Sequence, residues 1–500
     1  MKVLVMGLGL HGGGLESARY LARHGAALTV TDLRDEKTLA PSIAQLEEPA
    51  EDGTKPAFPV RYVLGRHDIE DFKKADMVIK NPAVRPDSPF LRAAARIETD
   101  ISIFLAGSPA RLCAVTGSKG KSSTASALHW VLAAARDRAV PHSGAALRGK
   151  AASGNEALRG KAYLGGNITV SPLCFLDGLS AGDDVVLELS SWQLGDLRGR
   201  TAGAGTGKRA LLKPRCAVLT AIMPDHLDRY GAMDAYVADK RVVYQGQDRD
   251  DLTVAGDDAW GESFRRESPG RSLVYAETIL PDGVAGGWTE GPEGPGLARL
   301  YGPPSTVKEG AVVEVVPPRL LTPGFHQKKN LLAAALALLD LGLPADIIRE
   351  NLGAFPGIAH RLEFFHEAGG VRFYNDSAAT IPEAAAAAVD ALSGESPVIL
   401  AAGGADKNLD FTPLVKAAAR AKGIVLLGGT ASARLRELFA AAGLSFRGPC
   451  DSADAAVAAC LDLAAPGDAV VLSPGCASFG MFLNEFDRGR KWKEAVLRLA

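Results

Sequence analysis

Cysteine is scarce in this chain. Six occur in 500 residues, at Cys113, Cys174, Cys216, Cys450, Cys460 and Cys476, and no pair has the CxxC or any other metal-ligand spacing. That excludes a disulfide scaffold and a zinc ribbon, and it suits thiols kept reduced in the cytosol. A basic excess is missing too: 56 Lys plus Arg stand against 58 Asp plus Glu, a formal net charge of −2. Nucleic-acid binders carry a basic excess or stripe, so no nucleic-acid partner is expected. A small anion held by a few local cations remains compatible with this balance. No stretch approaches the ~20 apolar residues of a membrane helix, so no membrane insertion is expected. The opening MKVLVMGLG is broken by glycine too early for a signal peptide. The expected location is the cytoplasm.

What is present is 47% hydrophobic and 23% charged, with 55 glycines. This is an α/β composition, and the length implies two to four domains. The chain opens on a strand (2–6), a glycine-rich turn, a helix from about Gly14 to His24 and a second strand (27–31). The pattern runs through a strand at 76–80 and fades at Ala106-Gly107-Ser108-Pro109, which reads as a linker. A second β-α unit starts at Arg111; its helix places Leu128, Val131, Leu132 and Ala135 on one face, and strands at 184–189 and 216–222 are expected in the same sheet. Two stretches interrupt it. Residues 139–162 hold the near-duplicates AALRGKA and EALRGKA, and residues 281–304, rich in Gly and Pro, read as a loop or hairpin insertion. A third region begins with an Ala/Leu-rich helix from Asn330 and has strands at 371–374, 398–402, 424–427 and 469–472. The fold class is therefore α/β in three domains. These are a Rossmann-like N-terminal domain over 1–107, a central P-loop ATPase-type domain with a mostly parallel sheet over 108–321, and a C-terminal Rossmann-like domain over 322–500.

The segment Thr116-Gly117-Ser118-Lys119-Gly120-Lys121-Ser122-Ser123 follows a strand and opens a helix. Glycines let backbone N–H groups close around phosphate oxygens, and the helix N-terminus adds a favourable dipole. Lys121 is expected to reach the β- and γ-phosphates of ATP, and the Ser122 hydroxyl to coordinate Mg²⁺. The loop departs from GxxxxGK[ST] in one place, since Val115 stands where the first glycine belongs. The earlier run Gly7-Leu8-Gly9-Leu10-His11-Gly12, with Asp32 twenty residues beyond it, is less specific. It suits a dinucleotide, the phosphates and sugar of a UDP-sugar, or tight helix–strand packing alone.

Further motifs follow in order: Gly165-Gly166-Asn167, Leu187-Glu188-Leu189-Ser190-Ser191-Trp192-Gln193-Leu194, Asp225-His226-Leu227-Asp228-Arg229-Tyr230, Lys240, His360-Arg361, Asn375-Asp376-Ser377 and Ser473-Pro474-Gly475-Cys476-Ala477-Ser478. Together with the phosphate loop they resemble the Mur ligases, most of all the branch that adds D-glutamate, over essentially the whole chain. The resemblance implies an ATP-dependent amide ligase of peptidoglycan precursor synthesis. A UDP-MurNAc-L-Ala carboxylate takes the γ-phosphoryl group, and the glutamate amine then displaces phosphate through a tetrahedral species. Two anions must meet, which demands metal ions and Lys or Arg at the transferring phosphoryl group.

By the same resemblance the catalytic set is Lys121, Glu188, His226, Lys240 and Arg361. Two Mg²⁺ ions are expected, with Ser122, Glu188, His226 and a carbamylated Lys240 around them. Carbamylation needs the neutral amine, which burial or a neighbouring cation favours. Asn330 is expected on the adenine side, Arg361 on the γ-phosphate and Asp376 on the ribose. Lys407 and Ser478 would receive the glutamate side-chain carboxylate. Asn167 is assigned to the substrate, and Gly9, Leu10, His11, Asp32 and Arg34 to its UDP moiety. No feature demands a dimer, so a monomer is expected.

Three departures touch the pockets. Ala378 stands where many glutamate-adding relatives have lysine, Gln327 replaces an asparagine in the GxHNxxN stretch, and Asn484-Glu485-Phe486 alters the usual Asn-aromatic order. Alternatives are a Mur ligase for L-glutamate or another amino acid, a non-catalytic nucleotide sensor, or an NAD-dependent oxidoreductase using the first glycine loop. Retention of Glu188, His226, Lys240 and Arg361 argues against a sensor, and the second phosphate loop against an oxidoreductase.

Overall fold

The computed structural model describes residues 1–10, 12–49, 58–139, 160–168, 170–203, 208–302 and 306–499. The segment with the AALRGKA and EALRGKA duplicates therefore falls largely outside the described residues, as does His11. The contacts group the chain into two compact units. One comprises Met1–Glu290, Gly296–Val316 and Lys329–Asn351, and the other Gly291–Pro295, Pro317–Lys328 and Leu352–Ala500.

The first unit holds two large sheets. In the smaller, β1 (Lys2–Met6), β2 (Ala27–Asp32), β3 (Arg61–Leu64), β4 (Met77–Lys80) and β5 (Ile97–Glu98) run parallel in the order β3-β2-β1-β4-β5. The larger contains β6 (Arg111–Thr116), β7 (Ala162–Gly166), β8 (Asp184–Glu188), and, after a small β9 (Thr201–Ala202) and β10 (Arg209–Ala210) hairpin, β11 (Cys216–Leu219), β12 (Leu252–Gly256), β13 (Arg271–Ala276), β14 (Gly286–Thr289), β15 (Gly296–Arg299) and β16 (Val312–Val316). Its order is β16-β15-β14-β13-β12-β11-β6-β8-β7. The expected strands at 184–189 and 216–222 do share this sheet. Within the stretch expected as a loop or hairpin, residues 286–299 form a hairpin, whose strands β14 and β15 extend the sheet in antiparallel register with Trp288 opposite Leu297.

Continuous apolar runs such as the Val-Val-Leu of β8 are buried on both faces, as parallel strands between helices must be. The strand order reverses around β6, whose neighbours are β8 and β11. Such a switch point opens a crevice at the carboxyl ends of the strands, and the Gly117–Ser123 loop lies there.

The second unit is built on β17 (Glu363–Ala368), β18 (Val371–Asn375), β19 (Val398–Gly403), β20 (Gly423–Leu427), β21 (Arg447–Cys450) and β22 (Ala469–Leu472). The order is β17-β18-β22-β19-β20-β21, parallel except for β17. Here β22 sits between β18 and β19, and the loops after these three strands gather at one end.

The boundary drawn at 321/322 does not match this grouping. The Ala/Leu-rich helix spans Phe325–Asp340, starting five residues before Asn330, and residues 329–351 group with the first unit. Long-range polar contacts explain it. Buried Asp340 pairs with Arg215 at 2.9 Å and Arg271 at 2.6 Å, Trp130 Nε1 donates to the Asn351 carbonyl at 3.0 Å, and Thr306 Oγ1 donates to the Leu343 carbonyl at 2.9 Å. None of these partners is adjacent in sequence.

Candidate active site

The phosphate loop is shaped by two glycines at positive φ, each pressed against a neighbouring side chain. Gly117 has φ +148°, and a Cβ there would lie 1.9 Å from Thr220 Oγ1; Gly120 has φ +90°, and its Cβ would lie 2.2 Å from Asn330 Oδ1. The helix Lys121–Ala139 follows, its first turn marked by the Thr124 N–H bonding to the Gly120 carbonyl at 3.0 Å. The N–H groups ahead of that bond have no intrahelical partner and form the anion-facing end of the helix. Ser118 ties the loop to its neighbours. Its hydroxyl donates to the Met223 carbonyl at 2.9 Å and meets Tyr236 Oη at 2.9 Å, and its N–H donates to the Ala221 carbonyl. The Lys119 N–H bonds to the same carbonyl at 3.3 Å. These bonds brace the loop. Lys121 Nζ folds over it, donating to the carbonyls of Gly117 and Ser118 at 3.0 and 3.1 Å.

Lys240, on the helix Met233–Gln245, is buried to 1% exposure. Its Nζ donates to the Gly117 carbonyl at 2.7 Å and lies 4.5 Å from the centre of the Tyr236 ring. Burial first, and the charge of Lys121 second, push its pKa down to about 7, against the opposing pull of Asp225, Asp239 and Glu188. A large share of neutral amine at neutral pH is what carbamylation requires.

Glu188 ends β8 with 1% exposure. One carboxylate oxygen accepts from Asn167 Nδ2 at 2.9 Å; the other, Oε2, is buried without a partner. Asn167, assigned above to the substrate, thus grips Glu188. Its backbone N–H also donates to the Glu188 carbonyl at 2.8 Å. An orphaned buried carboxylate oxygen is costly unless a cation meets it. Among the described residues no group of three or more His, Cys, Asp or Glu side chains is arranged to hold a metal. A lone carboxylate such as Glu188 is the kind of ligand Mg²⁺ takes, since this ion completes its shell with phosphates and water.

His226 adopts a left-handed conformation, φ +53°, and its side chain is 44% exposed. Its ring centre lies 5.0 Å from that of Trp192, over which the Arg229 guanidinium sits at 4.3 Å. No bond joins it to Glu188 among the described residues.

At the first glycine loop, both oxygens of buried Asp32 are spent on the backbone, accepting from the N–H groups of Gly9 at 3.2 Å and Arg34 at 3.0 Å. Asp32 therefore braces the turn. Gly14 is needed for packing, since a Cβ there would lie 2.1 Å from the Gly7 carbonyl oxygen. Leu10 and Arg34 are exposed beside it.

In the second unit Arg361 is exposed between two residues at positive φ, His360 (+65°) and Leu362 (+45°). Such backbone strain persists only where the surroundings hold it. Asp376 does so: Oδ1 accepts from the Leu362 N–H at 3.0 Å, while Oδ2 accepts from Ser473 Oγ at 2.6 Å. Desolvation raises its pKa to about 6. Asp376, expected on the ribose, is in this arrangement a brace for the Arg361 loop. Lys407 and Ser478 lie on the loops after β19 and β22, which Ala405 and Ala477 tie together through N–H bonds to each other's carbonyls, at 2.9 and 3.1 Å. Asn330 belongs with the phosphate loop, packed on Gly120, and its carbonyl accepts from Thr124 Oγ1 at 3.3 Å.

Three family models match in the same order as these sites. They are described as Mur ligase MurD-like, N-terminal domain (residues 1–103), Mur ligase middle domain (115–279) and Mur ligase, glutamate ligase domain (360–476). The UDP-N-acetylmuramoylalanine–D-glutamate ligase of Treponema pallidum is 40% identical over 99% of this chain and 97% of its own. The chain belongs to the Mur ligase family. Among these D-glutamate ligases, that of Roseiflexus sp. is 37% identical over 99% and 98% of the two chains. The Mur ligase fold is also that of the UDP-N-acetylmuramate-alanine ligase MurC of Thermotoga maritima, with TM-score 0.54, 17% identity and full coverage of both chains. MurF of Acinetobacter baumannii gives 0.51 at 15% identity, covering 95% of this chain and 92% of that one.

Sequence reasoning missed several residues of this Mur ligase. Asp225, quoted only as part of a motif, acts on Lys240; Thr220 sets the need for Gly117; and Arg488 lies buried behind the Asp376 loop. Arg488 was given no role from the sequence, because the carbonyls that hold it belong to Ser377 and Cys476, far from it in the chain or on another loop.

Proposed function

We propose that this Mur ligase joins D-glutamate to the alanyl carboxylate of UDP-N-acetylmuramoyl-L-alanine at the expense of ATP. The observation that carries the reading is the unpartnered Glu188 Oε2 beside a glycine-shaped phosphate loop, in a chain end-to-end similar to D-glutamate ligases. The helix N-terminus and Lys121 hold the phosphates, while Arg361 steadies the γ-phosphoryl group as the substrate carboxylate attacks it. The products of that step are an acyl-phosphate and ADP. The glutamate amine adds to the activated carbonyl, and collapse of the tetrahedral species expels phosphate. Mg²⁺, held by Ser122 and Glu188 with a second ion near His226 and carbamylated Lys240, would supply the countercharge between the two anions. Asn330 serves the adenine side and Asp376 the ribose, and Asp376 also holds the Arg361 loop. Lys407 and Ser478 receive the amino acid, and Gly9, Leu10, His11, Asp32 and Arg34 the UDP end. Three functional regions, the third without residues 329–351, a cytoplasmic location and a monomeric state complete the reading.

The test is phosphate release with ATP, Mg²⁺ and UDP-N-acetylmuramoyl-L-alanine, comparing D-glutamate, L-glutamate, L-alanine and no amino acid. Release that depends on D-glutamate, with the matching product mass, is expected. Dependence on L-glutamate would keep the chemistry and overturn the stereochemical assignment. Silence with every acceptor would overturn the acyl substrate.

A further inference from the structure

Among the described residues Arg488 is a buried cation with no ion-pair partner. It lies on the helix Glu485–Leu499 and is 1% exposed. Both of its bonds go to main-chain carbonyls, Nη1 to Cys476 at 3.1 Å and Nη2 to Ser377 at 2.8 Å, and its Nε is buried without a partner. No ion pair neutralises it among the described residues. The acids that act on it, Glu485 and Asp376, do so through space, and both Asp376 oxygens are already bonded to Ser473 and Leu362. A guanidinium in this state is expensive, and carbonyl dipoles compensate only part of the loss of water.

Its position gives the charge a use. Ser377 follows β18, Cys476 follows β22 two residues before Ser478, and a Cβ on Gly404, after β19, would lie 3.4 Å from Arg488 Nη1. The loops after all three strands therefore converge on this side chain. The charges of Arg488, Asp406 and Lys407 all bear on Cys476, and Asp406 is itself paired with Arg434 at 3.3 Å. Arg488 thus sits beneath the loops that carry Lys407 and Ser478, where the proposed function puts an amino acid with two carboxylates.

Resting on that reading, we infer that Arg488 is a specificity-determining residue, whose uncompensated buried charge favours a side-chain carboxylate over a neutral amide on the incoming amino acid. It acts from below, through the loop carbonyls that it orients and through its field, with no bond to the substrate required. Glutamate in the pocket would restore the neutrality that the fold leaves open.

The test compares D-glutamate with D-glutamine, which keeps shape and stereochemistry and removes one charge. Wild-type turnover with D-glutamate is measured first, so that failure of the general reading shows up on its own. In Arg488→Met the preference for D-glutamate over D-glutamine in kcat/KM is expected to fall by about tenfold or more, with KM for ATP and for the UDP-linked substrate within about twofold of wild type. Unchanged preference, with all three KM values or Tm moving together, would overturn the inference and leave Arg488 a structural tie. Should the methionine variant not fold, Arg488→Lys decides. It keeps the charge and loses the fork of donors, so the preference should survive even where kcat falls. Loss of preference with the charge retained would overturn the inference.

Discussion

Lys240 Nζ and Lys121 Nζ donate to the same acceptor, the Gly117 carbonyl, at 2.7 and 3.0 Å. Burial of Lys240 first, and the neighbouring ammonium of Lys121 second, disfavour the charge on Lys240. Its pKa falls from the ordinary 10.5 to about 7.

Stability should record this. With a folded-state pKa below the unfolded one, the native protein binds fewer protons than the unfolded chain between about 7 and 10.5. Stability therefore rises with pH across that window, and the full cost of burying the cation is present below it. In CO₂-free buffer Lys240→Met should lose this slope, melt higher than wild type at pH 6, and be inactive. Tm measured against pH checks it; identical slopes in the two proteins would show that another group titrates. In CO₂-equilibrated buffer, native mass spectrometry should find a carbamate on wild type that Lys240→Met lacks.

Asn167 and Glu188, expected separately on the substrate and on Mg²⁺, are bonded to each other. Because Asn167 grips Glu188 Oε1, Asn167→Ala should raise the Mg²⁺ concentration needed for half-maximal rate by about 10-fold or more, as loss of an outer partner of a ligand does. KM for the UDP-linked substrate should change little. A rise confined to that KM would return Asn167 to direct substrate contact. Glu188→Gln should lower kcat by roughly 10²–10³-fold without loss of Tm, since it removes an unpartnered buried charge.

Gly120→Ala should be damaging in two ways. A Cβ 2.2 Å from Asn330 Oδ1 displaces the Asn330 side chain, and at φ +90° it strains the loop backbone. We expect a loss of about 1–3 kcal/mol in denaturant titration and of nucleotide binding in calorimetry. Wild-type affinity in this variant would mean that the loop relaxes without consequence.

The sheets and the phosphate loop were legible because their signals are local: apolar runs, turn glycines, and a lysine and serine at fixed spacing. Gly and Pro marked the stretch 281–304 as a loop or a hairpin, and left open which of the two residues 286–299 form. Asp340 was not, because its partners Arg215 and Arg271 lie more than sixty residues away in sequence, and with it went the allegiance of residues 329–351. Asp32 and Asp376 show the other limit. Their places at the ends of strands marked them as site residues, but the backbone N–H and hydroxyl groups that claim their oxygens depend on loop geometry that no spacing reports.

The Asp376 brace makes the last prediction. Burial raises its carboxyl from 3.8 to about 6, so between these values the native state holds a proton that the unfolded chain has released. Stability contributed by this group therefore falls as pH rises from about 4 to about 6, and the cost is complete above that. Asp376→Asn should remove this slope while keeping an oxygen that can accept from the Leu362 N–H. The Ser473 hydroxyl would then face an amide, and the strained His360–Leu362 turn would hold Arg361 less firmly. We expect Tm near wild type at pH 7 with kcat reduced by roughly 10-fold or more, since a small displacement of a phosphoryl-binding arginine is costly in the transition state. Retention of full kcat would show that the turn keeps its geometry without the carboxylate. An unchanged pH slope would place the titration on another group, Asp100 being the next candidate, since burial raises it to about 6 as well.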